Sequence, residues 1–376
     1  MQKSIHYMQI RGGTSRGAYF HVDDLPSEEV LRDRILVAIM GGPDSLQIDG
    51  IGGGHPLTSK VAIVGPSQDD NAQIDYLFLQ IDPEKQTIST AQNCGNILAG
   101  VGPFAIEAGL VAAEEGITRV LVRMLNSGAL SELTVATPGK TVAYSGDTCI
   151  DGVPGSAAPV ICDFMDVAGS LCGALFPSGN VMDVIDGVEV TCIDNGMPVV
   201  LLRAADLGVN GTESPAELDC ETELKGRLEA MRLQAGKLMN LGDVSDKTIP
   251  KMILVSNPAA GGIIATRSFI PHVCHTSIGV LAAVTTASAC VIPGTVCDGI
   301  ANVPVGKQLM LDIEHPTGVL TVRLVLQRSS DGRLRIVRSG VIRTARLIAR
   351  GEVMVPAAVW DIDGTEDSDA KEKSSA

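Results

Sequence analysis

The sequence is poor in aromatic residues, in positive charge and in long apolar runs. Only 3% of its 376 residues are Phe, Tyr or Trp, so the core must be built from Val, Ile, Leu, Ala and Met. Its 29 Lys and Arg stand against 44 Asp and Glu, a net charge of −15, which excludes a general nucleic-acid binder with a basic face. No apolar run reaches the roughly 20 residues that span a bilayer, so no membrane partner is expected.

The sequence also lacks the signatures of metal binding and of export. It has no Cys-x-x-Cys pair, and its six histidines are scattered apart from His272 and His275, so we expect no metal site. Residues 1–10 lack the apolar core of a signal peptide, and the nine cysteines are an odd number. We therefore expect reduced thiols and a cytoplasmic protein.

Short alternating or β-branched segments dominate the chain and predict a strand-rich α+β fold. Helical patterns are fewer: residues 27–40 with a Ser cap, the amphipathic residues 218–238, and the almost wholly apolar residues 96–108 and 276–289. A helix that is apolar all round has to be buried on every side. Two such helices among many strands predict two sheets, each curled around a central helix.

The order of motifs occurs twice along the chain. In each half a strand, a glycine turn and a second strand precede an apolar strand that begins with a lysine, Lys60 or Lys251. A cysteine, Cys94 or Cys274, then precedes one of the apolar helices. This order predicts a degenerate duplication, with domains at residues 1–185 and 186–360 and with the last strands able to pack on the first domain. The charged residues 361–376 are expected to be a disordered tail.

Cys94 lies in an Asn-Cys-Gly-Asn segment directly before the first apolar helix. Unpaired amides and the dipole at a helix N-terminus stabilise anions and make a thiol more acidic. We therefore predict an acid or base role for Cys94, and a bound carboxylate or enolate at the amides of Gly95 and Asn96. The alternative is a buried structural thiol.

A glycine-rich loop, residues 50–54, leads to Ser59 and Lys60. It is not a phosphate-binding P-loop, because the GxxxxGK[ST] spacing is absent and a strand follows. Its four glycines permit close approach of the backbone to a ligand. A lysine beside apolar sequence is partly desolvated and becomes a usable base. The alternative for Lys60 is a strand-edge lysine that points to water.

Two further segments suit carboxylate recognition, although each is also compatible with an ordinary turn. The first is a glycine-rich turn with Thr14, Ser15 and Arg16. The second gathers polar side chains before the second apolar helix: Arg267, His272, Cys274, Thr276 and Ser277. A Cys–His nucleophile pair is the weaker interpretation of that segment, because neighbours in a turn need not touch.

At these motifs the sequence resembles the diaminopimelate epimerase superfamily, and within it the PrpF branch of 2-methylaconitate cis-trans isomerases and their relatives. The resemblance covers about residues 5 to 355 and rests on seven segments: RGGTSRGAYF, IDGIGGGHPLTSKVAIV, NCGNILAGVGPFA, IDGVPG, CIDNGMPVVLL, NLGDVS and RSFIPHVCHTSIGV. In detail they look like the 4-oxalomesaconate tautomerases of bacterial gallate and lignin-derived aromatic degradation.

The resemblance implies two similar domains, each a β-barrel-like sheet around a central helix, with a cofactor-free active site between them. It implies a double-bond shift in an unsaturated di- or tricarboxylate, with 4-oxalomesaconate expected and 2-methylaconitate or aconitate as the alternative. The catalytic lysine and cysteine of the isomerases fall on Lys60 and Cys94. The matched motifs extend the substrate-binding set to Ser59 and Met197, and a homodimer is one possible assembly.

The epimerases of the superfamily use two cysteines across the pseudo-dyad. Cys274 stands at the second position here, but His275 replaces the glycine that follows it. This departure favours an isomerase that moves a proton along one face of its substrate. A thiol-based epimerase and a catalytically idle carboxylate-binding protein of the same fold remain as alternatives.

Overall fold

The computed structural model describes residues 1–90, 93–165, 167–328 and 334–361. The predicted tail therefore lies, apart from Asp361, outside the described residues. The strands are β1 (Gln2–Gly12), β2 (Ser15–His21), β3 (Lys60–Pro66), β4 (Ile74–Asp82), β5 (Thr87–Ser89), β6 (Gly116–Met124), β7 (Leu130–Thr137), β8 (Pro159–Met165), β9 (Asp183–Ile185), β10 (Val188–Asp194), β11 (Pro198–Arg203), β12 (Lys251–Ser256), β13 (Ile264–Phe269), β14 (Gln308–His315), β15 (Gly318–Arg328) and β16 (Leu334–Pro356). The helices are α1 (Glu29–Met40), α2 (Gly95–Glu107), α3 (Pro215–Cys220), α4 (Thr222–Leu238) and α5 (Val280–Val291).

The strands form one continuous sheet that curls twice. In the first curl the order is β1-β2-β3-β4-β6-β7-β8-β16, and β16 pairs back onto β1, which closes a barrel. The second curl is open and continues from β16 through β15, β14, β13, β12, β11 and β10 to β9. The first part of β16 pairs with β15 and β8, and its second part pairs with β1, so this strand belongs to both curls.

The direction of the strands repeats between the two curls. In the first, β1–β2 is antiparallel, β2–β3 is parallel and β3–β4 is antiparallel. In the second, β10–β11, β11–β12 and β12–β13 follow the same sequence of directions. Lys60 and Lys251 open the equivalent strands β3 and β12, so the predicted duplication is confirmed. The boundary at residues 185 and 186 stays a prediction, and β9, which precedes it, pairs with β10.

The two apolar helices lie inside the two curls, as their composition requires. Every residue of α5 is buried, and α2 is buried from Ile97 to Ala105. The hydroxyls of Thr286 and Ser288 are satisfied within α5, because they donate to the carbonyls of Ala282 and Val284 at 2.8 and 2.7 Å. Among the described residues, no helix is long and apolar enough to cross a membrane.

The helix boundaries differ from the sequence prediction at three places. Helix α1 begins at Glu29 with Glu28 as N-cap and has no side-chain cap bond, so the Ser cap was wrong. The segment 218–238 is divided into α3 and α4 at Glu221, whose ψ of 80° is not helical. Helix α5 begins at Val280 instead of Thr276, because a turn in which the Ser277 amide donates to Nδ1 of His275 occupies the preceding residues.

Candidate active site

A cavity of about 410 Å³ lies between the two halves, where the first turns of α2 and α5 meet. Gly95 and Asn96 of α2 and Val280 and Leu281 of α5 lie in its wall. A Cβ placed on Gly95 would lie 2.7 Å from Cγ1 of Val280, so the two helix starts are in contact. The positive ends of two helix dipoles therefore face one space, which favours an anionic ligand.

Lys60 reaches this cavity from the first residue of β3 and is only 7% exposed. Its Nζ donates to Oε1 of Gln80 on β4 at 2.5 Å and lies 5.0 Å from the centre of the Phe78 ring. The Gln80 amide is oriented in turn, because its Nε2 donates to the carbonyls of Pro56 and Ser59 at 3.1 Å each. The lysine is thus held in the cavity wall and does not extend into bulk water.

Cys94 is the N-cap residue of α2 and also lines the cavity. Its carbonyl accepts from the amide of Leu98 at 2.9 Å and from the hydroxyl of Tyr76 at 3.4 Å. Its thiol makes no hydrogen bond to any residue that the structure describes. The backbone of Cys94 is therefore fixed, while the thiol is available to a ligand.

The glycine turn between β1 and β2 is tied to the start of α2. Nδ2 of Asn96 donates to Oγ1 of Thr14 at 3.0 Å. A Cβ on Gly12 would overlap the carbonyl of Asn96, and a Cβ on Gly13, whose φ is +50°, would overlap its side-chain oxygen. The two glycines therefore allow the close approach that brings Thr14 and Ser15 to the cavity.

Three buried polar atoms of the cavity wall have no hydrogen-bond partner within the described part of the chain: Oγ of Ser15, Oδ1 of Asn93 and Oδ1 of Asn96. Buried polar groups are almost always paired in folded proteins. Their concentration around one cavity indicates groups that bind a ligand, with the Ser15 hydroxyl as a donor to a carboxylate.

The second half contributes Thr276, Ser277 and two histidines to the wall. Nδ1 of His275 accepts from the Ser277 amide at 2.8 Å, and Nε2 of His315 lies 3.3 Å from the Ser277 hydroxyl. Burial lowers the pKa of His315 to about 4 and also lowers the pKa of His275, which Lys251 depresses further. Both rings are therefore neutral near pH 7 and offer hydrogen bonds instead of charge. Nothing in the local sequence singled out His315.

Lys251 lines the same cavity from the first residue of β12, as the duplication suggests. It is 7% exposed, and burial, with a smaller contribution from Arg232, lowers its pKa to about 8. The sequence analysis left its role open. The signal that finds it is the internal repeat, which pairs Lys251 with Lys60.

Several residues of the predicted set line the cavity: Thr14, Ser15, Lys60, Cys94, Gly95, Asn96, Met197, Thr276 and Ser277. Met197 is placed there by the turn between β10 and β11, which Asp194 fixes through a hydrogen bond from the Gly196 amide at 3.1 Å. The other predicted residues are absent from the wall: Arg16, Ser59, Arg267, His272 and Cys274.

Arg267 and Cys274 point into the protein and away from the cavity. The Arg267 guanidinium donates to the carbonyl of Glu213 at 2.6 Å and to that of Thr266 at 2.9 Å. Cys274 is buried, and burial above all raises the pKa of its thiol to about 11. A thiol that is protonated and outside the cavity does not supply the second base of a two-cysteine epimerase.

Three further predicted residues, Ser59, Arg16 and His272, also lie outside the cavity wall and contact other groups. The Ser59 hydroxyl lies 2.8 Å from Oε1 of Gln47 and 2.9 Å from the carbonyl of His55. The Arg16 guanidinium lies against Gly53, where an added Cβ would be 2.6 Å from Nη2. His272 is 59% exposed at its side chain, with Nδ1 3.8 Å from a carboxylate oxygen of Glu229.

The glycine-rich loop serves packing within the protein. Added Cβ atoms on Gly50 and Gly52 would overlap the backbone of Gly41 and the side chain of Gln47. The Gly54 amide donates to Oε1 of Gln47 at 2.7 Å. The expected close approach is therefore made to protein groups, and the loop supports the strand that begins at Lys60.

The balance of charge in the wall is positive although the chain carries a net charge of −15. The wall contains two lysines, Lys60 and Lys251, and one carboxylate, that of Asp151, whose Oδ2 accepts from the Val319 amide at 2.6 Å. Two lysine side chains and two helix N-termini therefore suit a ligand with several carboxylates.

One sheet that curls around each of two buried helices, with a cavity between the helix starts, defines a protein of the diaminopimelate epimerase-like class. The PrpF protein family model matches residues 2–356, and the chain belongs to this family. The family and fold predicted from the sequence are thereby confirmed.

Individual relatives cover nearly the whole chain. A 4-oxalomesaconate tautomerase of Pseudomonas putida is 54% identical, over 96% of this chain and 98% of the relative. A (4E)-oxalomesaconate Delta-isomerase of a Novosphingobium species is 53% identical, over 93% of this chain and 96% of the relative. The crystal structure of a methylitaconate-delta-isomerase superposes with a TM-score of 0.85 at 34% identity and covers 96% of this chain and 97% of that one.

Proposed function

We propose that this protein is a cofactor-independent isomerase that moves a double bond in 4-oxalomesaconate, an unsaturated tricarboxylate, by a 1,3-proton shift. The observation that carries the proposal is the meeting of Lys60, Cys94 and the positive ends of α2 and α5 at one cavity. The names of the two relatives that are more than 50% identical support the substrate.

The reaction needs a base at one end of an allylic system and an acid at the other. The amine form of Lys60 takes a proton from the carbon flanked by electron-withdrawing groups, so that a C–H bond breaks and an N–H bond forms. The electron pair moves into a dienolate. A proton from the Lys60 ammonium or from the Cys94 thiol then forms a C–H bond two carbons away. Where the thiol donates, the proton held by Lys60 passes to the thiolate and restores both groups, and no oxidant or reductant is needed.

The protein stabilises the dienolate with groups that are already in place. The amides at the start of α2 and the hydroxyls of Thr14 and Ser15 face the cavity, and the Ser15 hydroxyl has no other partner in the described residues. Preorganised donors in a water-poor site stabilise developing charge more strongly than water does. Carboxylates that do not react are held by the remaining donors.

The nearest alternative keeps the chemistry and changes the substrate to 2-methylaconitate or aconitate. The likeness to a 2-methyl-aconitate isomerase of Shewanella oneidensis, which is 31% identical over 92% of this chain and 96% of the relative, favours 2-methylaconitate. An ultraviolet assay with 4-oxalomesaconate, 2-methylaconitate and cis-aconitate side by side tests the choice. We expect the highest kcat/KM with 4-oxalomesaconate, and turnover of another acid alone would contradict the assignment.

The roles of Lys60 and Cys94 are separated by solvent deuterium exchange. Lys60→Met removes the base but keeps most of its volume, so isomerisation and exchange into substrate should both fall by at least ~100-fold. Cys94→Ser keeps a small hydrogen-bonding group at the helix start and should retain measurable exchange. Full exchange in Lys60→Met together with none in Cys94→Ser would make Cys94 the base.

A further inference from the structure

Lys251 stands where the active-site cavity adjoins a second cavity of about 370 Å³. Four residues line both: Asn93, Met197, Lys251 and Leu281. The wall of the second cavity contains apolar side chains, such as Val167 and Ile249, beside polar and charged ones, such as Asp246 and Lys247. An extended ligand held at Lys60 and Cys94 therefore has room to continue past Lys251.

The ammonium group of Lys251 has no counter-ion within the described residues. It makes no hydrogen bond there, and no carboxylate lies within 4.0 Å of it. The charged or titratable groups around it are Arg232 on α4, Asp246 and Lys247 in the preceding loop, and, in the wall of the active-site cavity, Lys60, Cys94, Asp151, His275 and His315. A buried cation without a partner is costly, which points to a use in binding.

The surrounding structure fixes the position of Lys251. Arg232 is fully buried and forms a two-pronged pair with Glu229 at 2.7 and 2.9 Å. Its Nη1 donates to the carbonyls of Lys247 and Ile249 at 3.0 Å each. The loop that leads into β12 is thereby anchored, so the backbone that carries Lys251 has little conformational freedom to lose when the ammonium group binds a ligand.

We propose that Lys251 is a substrate-binding residue whose ammonium group holds a substrate carboxylate that takes no part in the proton shift. This assignment rests on the proposed isomerase function. It gives the substrate one anchoring cation in the second half of the protein, opposite the Lys60 and Cys94 pair in the first.

The geometry predicts a pH dependence with a definite sign. Because the pKa of Lys251 is lowered to about 8, the group is a cation below that pH and loses its charge above it. The kcat/KM, which reports the free enzyme, should therefore fall as the pH rises through about 8. In Lys251→Met this fall should be absent.

The direct test compares Lys251→Met with Lys237→Met, the same change at an exposed lysine of α4. Loss of a charged hydrogen bond should lower kcat/KM about 10- to 100-fold, chiefly through KM, whereas the control should behave like wild type. Lys251→Met should unfold at the same temperature as wild type or higher, because an unpaired buried charge is removed. An unchanged KM, or a loss confined to kcat at saturating substrate, would overturn the proposal.

Binding of tricarballylate, a saturated tricarboxylate that cannot isomerise, separates this proposal from the proposed function. Calorimetry should show about 10- to 100-fold weaker binding to Lys251→Met than to wild type. If wild type isomerises none of the three acids but this difference persists, the isomerase assignment fails and the role of Lys251 in binding stands. Equal affinities of wild type and Lys251→Met for tricarballylate would overturn the role of Lys251 in binding.

Discussion

The Nζ of Lys60 donates to Oε1 of Gln80 at 2.5 Å, and the Gln80 amide nitrogen donates to two carbonyls of the loop that precedes Lys60. The proposed base is therefore held by a neutral acceptor whose orientation is fixed from the other side. A neutral partner positions the amine without adding an ion pair that would hold the lysine in its ammonium form.

Gln80→Glu should convert this contact into an ion pair and reduce the fraction of Lys60 that is a free amine. We expect kcat/KM at pH 7 to fall about 10- to 100-fold and to recover partly at higher pH, since an adjacent opposite charge stabilises the protonated form. The measurement is the pH profile of kcat/KM beside that of Gln80→Met, which removes the acceptor without adding charge. A Gln80→Glu profile identical to that of wild type would show that Lys60 is not the base.

Gly95→Ala should disturb the junction of the two central helices. The new Cβ would lie 2.7 Å from Cγ1 of Val280, so α2 or α5 must shift, at a cost of about 1–3 kcal/mol in the free energy of unfolding. We expect kcat/KM to fall as well, because the amides at both helix starts move.

Gly226→Ala is the matched control for this change. Gly226 lies on the exposed side of α4, and a Cβ there meets nothing within 4 Å. It should stabilise the fold by about 0.5–1 kcal/mol and leave turnover unchanged. Chemical denaturation and the ultraviolet assay measure both effects. Wild-type activity in Gly95→Ala would argue against a role for the helix junction.

Arg267→Ala should affect stability more than catalysis, because the guanidinium donates to two carbonyls inside the protein and does not line the cavity. Leaving these buried carbonyls unpaired costs about 1–3 kcal/mol. Thermal unfolding and kcat/KM should be measured on the same preparation. A large loss of kcat/KM with unchanged stability would return Arg267 to the substrate-binding set.

Local patterns in the sequence determined much of the architecture. Residues 96–108 and 276–289 are apolar all round, and such segments have to be enclosed by other elements whatever the topology. The cysteine, glycine and asparagine at positions 94–96 mark a helix start by their own chemistry, so the position of this end of α2 is readable without tertiary information. The repeated motif order likewise identified Lys60 and its counterpart Lys251.

The tertiary structure decided which side of each strand faces the cavity. Successive side chains of a strand point to opposite faces, so neighbours along the chain have different surroundings. Lys60 and Ser268 line the cavity, whereas the adjacent Ser59 and Arg267 do not. The predicted set contained Ser59, Lys60 and Arg267 but lacked Ser268. Composition alone does not determine which of two neighbouring strand residues points towards the cavity.

Pairing between strands that are distant in sequence decided which further side chains reach the site. Gln80 and His315 reach the site from β4 and β14, far from the cysteine and glycine motifs in the chain. Strand β16 joins both curls, because its first part pairs with β15 and β8 and its second part with β1. No local pattern specifies such partners, since they depend on which strands lie side by side after the whole sheet has formed. The sequence alone thus determined the elements and the chemistry at the helix starts, whereas the folded sheet determined which distant side chains complete the site.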